Sequence, residues 1–211
     1  MAIAINGSGT LTGVSVGGLP NGIVDTDMLA ANAVSTAKIA DDAVTAAKAT
    51  GSAKGITMSQ MWRVHTAYTA ATSDNIMSSN WEVCDENAAG SVGSSMSESS
   101  GVWTFPSTGI YLIHLNVAFY STASRRYIGC YIQTTTDNSN YSIVSINYSN
   151  IKVGSSTTHT GIATSCIFDV ADTSTHKLNF FTSIESAGNA GVYATHTQSR
   201  TWAQFTRLGD T

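Results

Sequence analysis

The fold is decided by a stretch near the middle of the chain, which reads Trp103-Thr-Phe-Pro-Ser-Thr-Gly-Ile-Tyr-Leu-Ile-His-Leu-Asn-Val117. Aromatic and branched aliphatic residues, which favour strands, occupy both halves of this stretch. Pro106 stands between the halves, where its missing backbone N–H does no harm at the end of a strand. The stretch therefore predicts a strand that ends near Pro106 and a longer strand that begins at Gly109.

The same texture continues on both sides of this stretch. From Met61 onward, segments rich in Ile, Val, Tyr, Phe and Thr alternate with Ser, Asn, Asp and Gly clusters, which are typical of turns. Residues 90–100, rich in Ser, Gly and Met, are predicted as a flexible connection. Short strands separated by regular turn signals indicate a β-sandwich or jelly roll. We expect strands at 61–68, 81–84, 101–106, 109–120, 126–135, 141–153, 159–170, 175–184, 191–197 and 201–208.

Three segments resemble the C1q/tumour-necrosis-factor-like jelly roll. Trp103–Val117 opens a central strand with an aromatic residue, proline, glycine and tyrosine in the order of that family. The resemblance continues at Ile162–Val170, and Trp202–Leu208 looks like the closing strand of the family. It covers roughly residues 60–208 and implies a jelly-roll head at 59–211. It also implies a trimer with inner-sheet aromatic residues packed on the three-fold axis.

Residues 22–58 contain a repeat with a period of ten, in which Val24, Val34 and Val44 coincide and so do Leu29 and Ile39. Aliphatic residues five apart fit neither a strand nor one face of a regular α-helix. One copy cannot offset its ordering entropy of about 1–2 kcal/mol per residue, whereas three copies around an axis would bury each aliphatic layer. We predict a trimeric stalk with these five residues on its axis. The alternative is a disordered Ala/Thr linker, which needs no register.

In residues 1–21, short apolar segments are separated by glycines and other small residues. This pattern predicts short extended segments and tight turns, and we predict an extended docking arm over residues 1–21. The arm and the decapeptide repeats resemble tail-fibre and other virion proteins of tailed phages, especially phages of cyanobacteria and marine bacteria. This resemblance implies display on a virion surface after synthesis in the host cytoplasm, with the arm bound to a capsid or tail protein. Two hypotheses stay open: a short tail fibre or spike, and a capsid decoration (cement) protein whose arm clamps shell subunits at local three-fold positions.

Composition argues against several classes of function. Only 11% of the residues are charged and the net charge is −4, whereas nucleic-acid binding needs clustered Lys and Arg. No apolar run reaches the roughly 20 residues of a spanning helix, so we expect no membrane insertion. The three cysteines, Cys84, Cys130 and Cys166, share no short spacing, and we expect all three to be reduced.

Catalytic motifs are missing from the sequence. There is no Gly-x-Ser-x-Gly elbow, no phosphate-binding Gly loop and no His-Glu-x-x-His, so we expect no enzyme and no cofactor. The carboxylate pairs lie in the repeat or in turns, although a polysaccharide depolymerase with a convergent acidic pair remains a rival hypothesis. Asp169 and Asp172 flank the end of a predicted strand, and whether they bind Ca²⁺ stays open.

Tyrosines and asparagines cluster around two neighbouring predicted strands, at Tyr127, Tyr131, Tyr148 and in the connection between the strands. Tyrosine offers rigid amphipathic area and asparagine offers adaptable hydrogen bonding, a combination typical of binding surfaces. Because side chains alternate between the two faces of a strand, half of these tyrosines are expected to point into the core or into the trimer interface. We predict surface binding, with a host glycan as the ligand, at Tyr141, Asn138, Asn140 and Asn147.

Overall fold

The computed structural model describes residues 34–35, 39–40, 43–45, 48–49, 55–70, 74–186 and 188–211. Contacts divide the chain into two compact units, Met1–Lys48 and Ala49–Thr211. The predicted docking arm at 1–21 lies outside the described residues. Within the described residues, no helix is long and apolar enough to cross a membrane.

The regular secondary structure described in the second unit is β-strand, apart from a single-turn 3-10 helix at Glu86–Ala88. The strands are β1 (Met58–Val64), β2 (Tyr68–Thr69), β3 (Asp74–Ile76), β4 (Trp81–Val83), β5 (Ser97–Ser99), β6 (Val102–Thr104), β7 (Gly109–Ser121), β8 (Arg125–Thr135), β9 (Ser142–Ile151), β10 (Thr158–Val170), β11 (Lys177–Ile184), β12 (Ala190–Val192) and β13 (Trp202–Gly209).

These strands form two antiparallel sheets. In the first sheet β4, β1, β13, β7 and β10 are neighbours, and β12 and β2 continue beside the far end of β7. The second sheet has the order β5-β6-β11-β8-β9, with β3 beside β11. The eight principal strands are β1, β6, β7, β8, β9, β10, β11 and β13. When these eight are renumbered 1 to 8 in chain order, the first sheet has the order 1-8-3-6 and the second sheet has the order 2-7-4-5. This is a jelly-roll arrangement, so the predicted mainly β, jelly-roll-like head is confirmed.

The stretch that decides the fold carries the chain from one sheet to the other. It contains β6, in the second sheet, and β7, in the first, with Pro106 in the connection between them. The Tyr111 hydroxyl donates a hydrogen bond to the carbonyl of Ser107 over 2.9 Å, which ties the connection to β7. Along β7 the buried residues alternate with more exposed ones, as a strand with one covered face requires.

Aromatic side chains from both sheets meet in the core around Trp103, which is fully buried. Its ring lies 5.1 Å from that of Trp62 and 5.2 Å from that of Trp81, both nearly perpendicular to it, and 4.9 Å from the ring of Phe205. Trp103 belongs to the second sheet, whereas its three partners belong to the first. Such pairs contribute about 0.5–1.5 kcal/mol each beyond burial, so they hold the two sheets together.

Two buried polar residues of β1 fix the surrounding loops. The Gln60 side chain accepts hydrogen bonds from the Trp62 indole N–H and from the Met96 backbone N–H, and its amide donates to the Ser95 hydroxyl. The predicted flexible connection at 90–100 is therefore partly ordered and contains β5. The Arg63 guanidinium forms ion pairs with Glu82 and Glu86, over 2.5 and 2.8 Å.

Candidate functional site

The repeat leaves its aliphatic residues in solvent in the single chain. The backbone bends at Val34, Ile39 and Val44, and their exposed fractions are 54%, 39% and 60%. Short turns recur with the same spacing of five, because the Ala43 N–H donates to the Ala40 carbonyl and the Lys48 N–H donates to the Thr45 carbonyl. The predicted axial residues Val24 and Leu29 lie outside the described residues.

The predicted binding residues Asn138 and Asn140 belong to a tight turn that follows β8. One carboxylate oxygen of Asp137 accepts from the backbone N–H groups of Ser139 and Asn140, over 2.9 and 2.7 Å, and the other accepts from the Asn140 side chain. These donors, those of Asn140 first, hold the pKa of Asp137 well below its usual range. The amide of Asn140 is thus engaged inside the turn, and Asn138 adopts a positive φ of 57°.

Asn147 lies elsewhere, on the side of β9 that faces β10. Its side-chain N–H donates to the Ala163 carbonyl over 2.8 Å. The Ser145 hydroxyl bonds that of Thr164 beside it. Both contacts link the second sheet to the first along their common edge. The structure therefore does not gather the four predicted binding residues at one place, since Tyr141 directly follows the turn and Asn147 joins two strands. Their role in surface binding stays a prediction.

The tyrosines of the same two strands do converge, on the outer face of the second sheet. The strand registers place Ile146, Tyr131 and Phe181 side by side in one row across the sheet. The next row runs Tyr148, Gly129, Ser183 and Asp74. These two rows border a groove with a volume of about 630 Å³, which we call the tyrosine groove. It is lined by Asp74, Tyr127, Tyr131, Ile143, Ile146, Tyr148 and Ser183.

The rings of this tyrosine groove are fixed by one another. Tyr127 and Tyr148 meet edge to face, with ring centres 5.9 Å apart and an interplanar angle of 87°. Tyr131 stacks on Phe181 at 5.0 Å and 11°. Burial, then the nearby carboxylate of Asp74 and then Tyr148, raise the pKa of Tyr131 to about 12, so its hydroxyl keeps its proton at neutral pH.

Sequence reasoning recognised the tyrosines but missed what completes the groove. Alternation along β8 places Tyr127, Gly129 and Tyr131 on one face, which was a usable signal. Asp74 and Ser183 come from β3 and β11, and only the pairing of those two strands brings them together. No local pattern could have assigned them to the site.

Asp169 and Asp172, the residues considered for Ca²⁺ binding, lie on the surface and in a turn. The carboxylate of Asp172 accepts from the hydroxyl and the backbone N–H of Ser174, and these two donors lower its pKa. Asp169 is exposed at the end of β10. Over the described part of the chain, no three His, Cys, Asp or Glu side chains are arranged to hold a metal ion. None of the three cysteines is joined to another by a disulfide.

No family model matches this chain, and no curated protein matches it. Among solved structures, crystal structures of murine APRIL at pH 8.5, 8.0 and 5.0 are similar to it, with sequence identities of 11%, 11% and 12% and TM-scores of 0.49, 0.48 and 0.49. Each of these matches covers 71% of this chain and 98% of the APRIL chain. The jelly-roll assignment rests on the strand order and register of the two sheets.

Proposed function

We propose that this protein is a non-enzymatic structural component of a phage virion, a homotrimeric surface appendage of the short tail-fibre or spike type. Residues 1–21 dock it to a capsid or tail protein, residues 22–58 form the trimeric stalk, and the jelly-roll head faces outward toward a host surface. The phage setting comes from the resemblance of the arm and repeats to virion proteins. The trimer has a physical basis in the stalk.

The observation that carries the proposal is the series Val34, Ile39 and Val44. A lone chain leaves these three aliphatic side chains exposed to water over 39–60% of their surface, at one spacing and at equivalent bends of the backbone. Burying a Val or Ile side chain is worth about 1.5–3 kcal/mol relative to leaving it exposed. Three chains in register bring equivalent residues together at every fifth position, so each layer gains this energy in all three copies.

The head offers apolar surface of its own for self-association. Ile167 of β10 lies directly opposite Leu112 of β7 on the outer face of the first sheet, and their exposed fractions are 67% and 37%. A cyclic trimer buries such a patch against a different surface of the next subunit. This pair therefore supports the same oligomer as the stalk.

The acidic side chains support a binding role over a hydrolytic one. Asp137 and Asp172 hold turns, Glu185 pairs with Arg126, and Glu82 pairs with the buried Arg63. Glycoside hydrolysis instead needs two carboxylates facing one bond across roughly 5–10 Å. Replacing these acids without losing a glycan-cleaving activity of the particle would remove the depolymerase hypothesis.

The second candidate is a capsid decoration protein, and the shortness of the repeat suits it as well as it suits a short spike. Residues 22–58 are too few for a long fibre, and they suit an arm and stalk that lie on a shell equally well. Synthesis in the host cytoplasm agrees with three free cysteines. Both candidates place the protein on the virion surface.

The number of copies per particle separates the two candidates. Purified particles would be analysed by quantitative mass spectrometry, with the major capsid protein as the internal standard. A few tens of copies or fewer would support a tail or vertex appendage, and hundreds would support shell decoration. Absence of the protein from purified particles would contradict both.

A further inference from the structure

We propose that the tyrosine groove on the outer face of the second sheet binds a neutral sugar, one or two pyranose rings long. The inference rests on the proposed function only for the source of the sugar, which is a bacterial host surface. The tyrosine groove differs from the site predicted from the sequence, which comprised Asn138, Asn140 and Tyr141 around the turn after β8 and Asn147 on β9.

The shape of the groove sets the size of the ligand. The ring of Tyr148 lies over Gly129 and forms one wall, whereas Asp74 stands at the far side, on β3. The floor of the groove spans two strand spacings, from β8 to β3, which is about 10 Å. Ser183 lies in the middle of this floor, on β11. A volume of about 630 Å³ falls within the range of small-molecule sites. These dimensions accommodate one or two sugar rings.

The chemistry of the lining matches a pyranose. A sugar ring has a flat C–H face and hydroxyl groups around its edge. The rings of Tyr127 and Tyr148 offer flat apolar area with a hydroxyl at the rim, and Ile143 and Ile146 extend the apolar wall. The carboxylate of Asp74 accepts hydrogen bonds, and the Ser183 hydroxyl both donates and accepts. The ligand can therefore stack on one side and form hydrogen bonds on the other.

Charge argues for a neutral sugar. No Lys, Arg or His is found among the described residues that line the groove. An acidic sugar would bring a second negative charge beside the carboxylate of Asp74 in a partly desolvated groove with no cationic side chain in its described lining, which opposes binding. A hydroxyl-rich neutral ring instead donates hydrogen bonds to that carboxylate, and bonds of this kind are stronger than those between neutral groups.

Ring geometry argues against a quaternary ammonium ligand. Such ligands bind where several aromatic faces converge on one point. Here Tyr131 uses one face to stack on Phe181, and Tyr127 and Tyr148 meet edge to face. The rings form a wall and a floor. Because they already hold each other in place, binding immobilises few side chains, which favours affinity.

The test uses the full chain in its native oligomer. Saturation-transfer NMR would first identify which ligands bind, and titration would then measure their affinities. The neutral sugars are glucose, galactose, mannose, N-acetylglucosamine, maltose and lactose, and the charged comparators are glucuronate and choline. We expect at least one neutral sugar to bind. Tyr148→Ala and Tyr127→Ala should each weaken its affinity about tenfold, the equivalent of one lost aromatic contact.

Tyr120→Ala is the matched control, because Tyr120 is a half-buried tyrosine of β7 in the first sheet, outside the groove. It should leave sugar affinity unchanged. The inference is overturned if no neutral sugar binds, if glucuronate or choline binds in preference, or if only Tyr120→Ala weakens binding. It is also overturned if Tyr148→Ala dissociates the oligomer, since the groove would then be a subunit contact. An intact trimer that binds no sugar contradicts this inference alone, and a sugar-binding monomer contradicts the proposed trimer alone.

Discussion

Gly129 lies directly opposite Tyr148 in the β8–β9 ladder, and the tyrosine ring occupies the space that any side chain at position 129 would need. A Cβ at this glycine would stand 2.4 Å from Cδ1 of Tyr148 and 2.7 Å from the carbonyl oxygen of Asn147. The bare backbone of Gly129 therefore allows the ring of Tyr148, one wall of the tyrosine groove, to pack closely against β8.

Replacing this glycine should damage both the groove and the edge of the sheet. We expect Gly129→Ala to lower the free energy of unfolding by about 1–3 kcal/mol, as overpacked sites do, and to change the near-ultraviolet circular dichroism of the tyrosines. Gly161→Ala is the matched control, since a Cβ there meets nothing within 4 Å. Equal stability of the two variants in urea denaturation would contradict the close packing of Tyr148 on β8.

Arg63 should be the most costly charged residue to remove from the head. Its side chain is only 4% exposed, and besides its ion pairs it donates to the His196 carbonyl over 2.8 Å. We expect Arg63→Ala to lower the free energy of unfolding by about 2–4 kcal/mol, because it leaves partly buried carboxylates and a carbonyl without their partner. Arg63→Lys should restore only part of this loss, since it keeps the charge without the planar fork.

Arg126→Ala is the control for charge removal. Arg126 also pairs with a carboxylate, that of Glu185, but its side chain is 85% exposed. Solvent screens such a pair, so its removal should leave the urea midpoint nearly unchanged. A loss of stability in Arg126→Ala as large as that in Arg63→Ala would show that burial is not what distinguishes the two arginines.

The turn held by Asp137 should weaken in acid. Its pKa in the folded protein lies below the ordinary value of 3.8, so the unfolded chain binds the proton first as the pH falls. The stabilisation is therefore fully present above pH 3.8 and is lost as the pH falls through the lower, folded pKa. The difference in thermal midpoint between the wild type and Asp137→Ala should be constant from pH 7 to about pH 5 and shrink below pH 3.8. A difference that grows in acid would contradict this assignment.

Much of the head could be predicted from the sequence, because its long strands have regular alternation. The halves around Pro106 became β6 and β7, and 159–170 became β10 with nearly the same bounds. Two short strands, β3 and β5, were missed for a physical reason. Asp74–Ile76 has low strand propensity and becomes β3 only through pairing with β11. Likewise, residues 90–100 are ordered by pairing with β6, by a backbone bridge between Val92 and Ser59, and by the side chain of Gln60, and two of these three contacts come from a distant part of the sequence.

The site was harder to predict than the fold. Tyrosine and asparagine content pointed to β8 and β9, which also line the tyrosine groove, but content does not show which amides are already engaged. The side-chain amide of Asn140 donates a hydrogen bond to the carboxylate of Asp137, and that of Asn147 donates one to the carbonyl of Ala163. The carboxylate of the groove comes from a different part of the chain, so only the sheet register could place Asp74 in the row of Tyr148.

The trimer is the central claim, and the stalk gives it a specific dependence on sequence. Ile39→Asp places a charge in one aliphatic layer, and we expect the variant to dissociate or to become sensitive to proteolysis before Ala49, with the head still folded. Lys48→Asp is the matched control, because Lys48 lies between the aliphatic positions in the repeat. It changes the charge of the same unit and should leave the oligomer intact.

Native mass spectrometry of the full chain at micromolar concentration tests the account most directly. The trimer predicts a single species with three times the 22.1 kDa mass of the chain, and Ile39→Asp should shift it toward lower mass. A wild-type protein that is monomeric at this concentration, or an Ile39→Asp variant with unchanged mass and unchanged digestion, would contradict axial packing of the repeat.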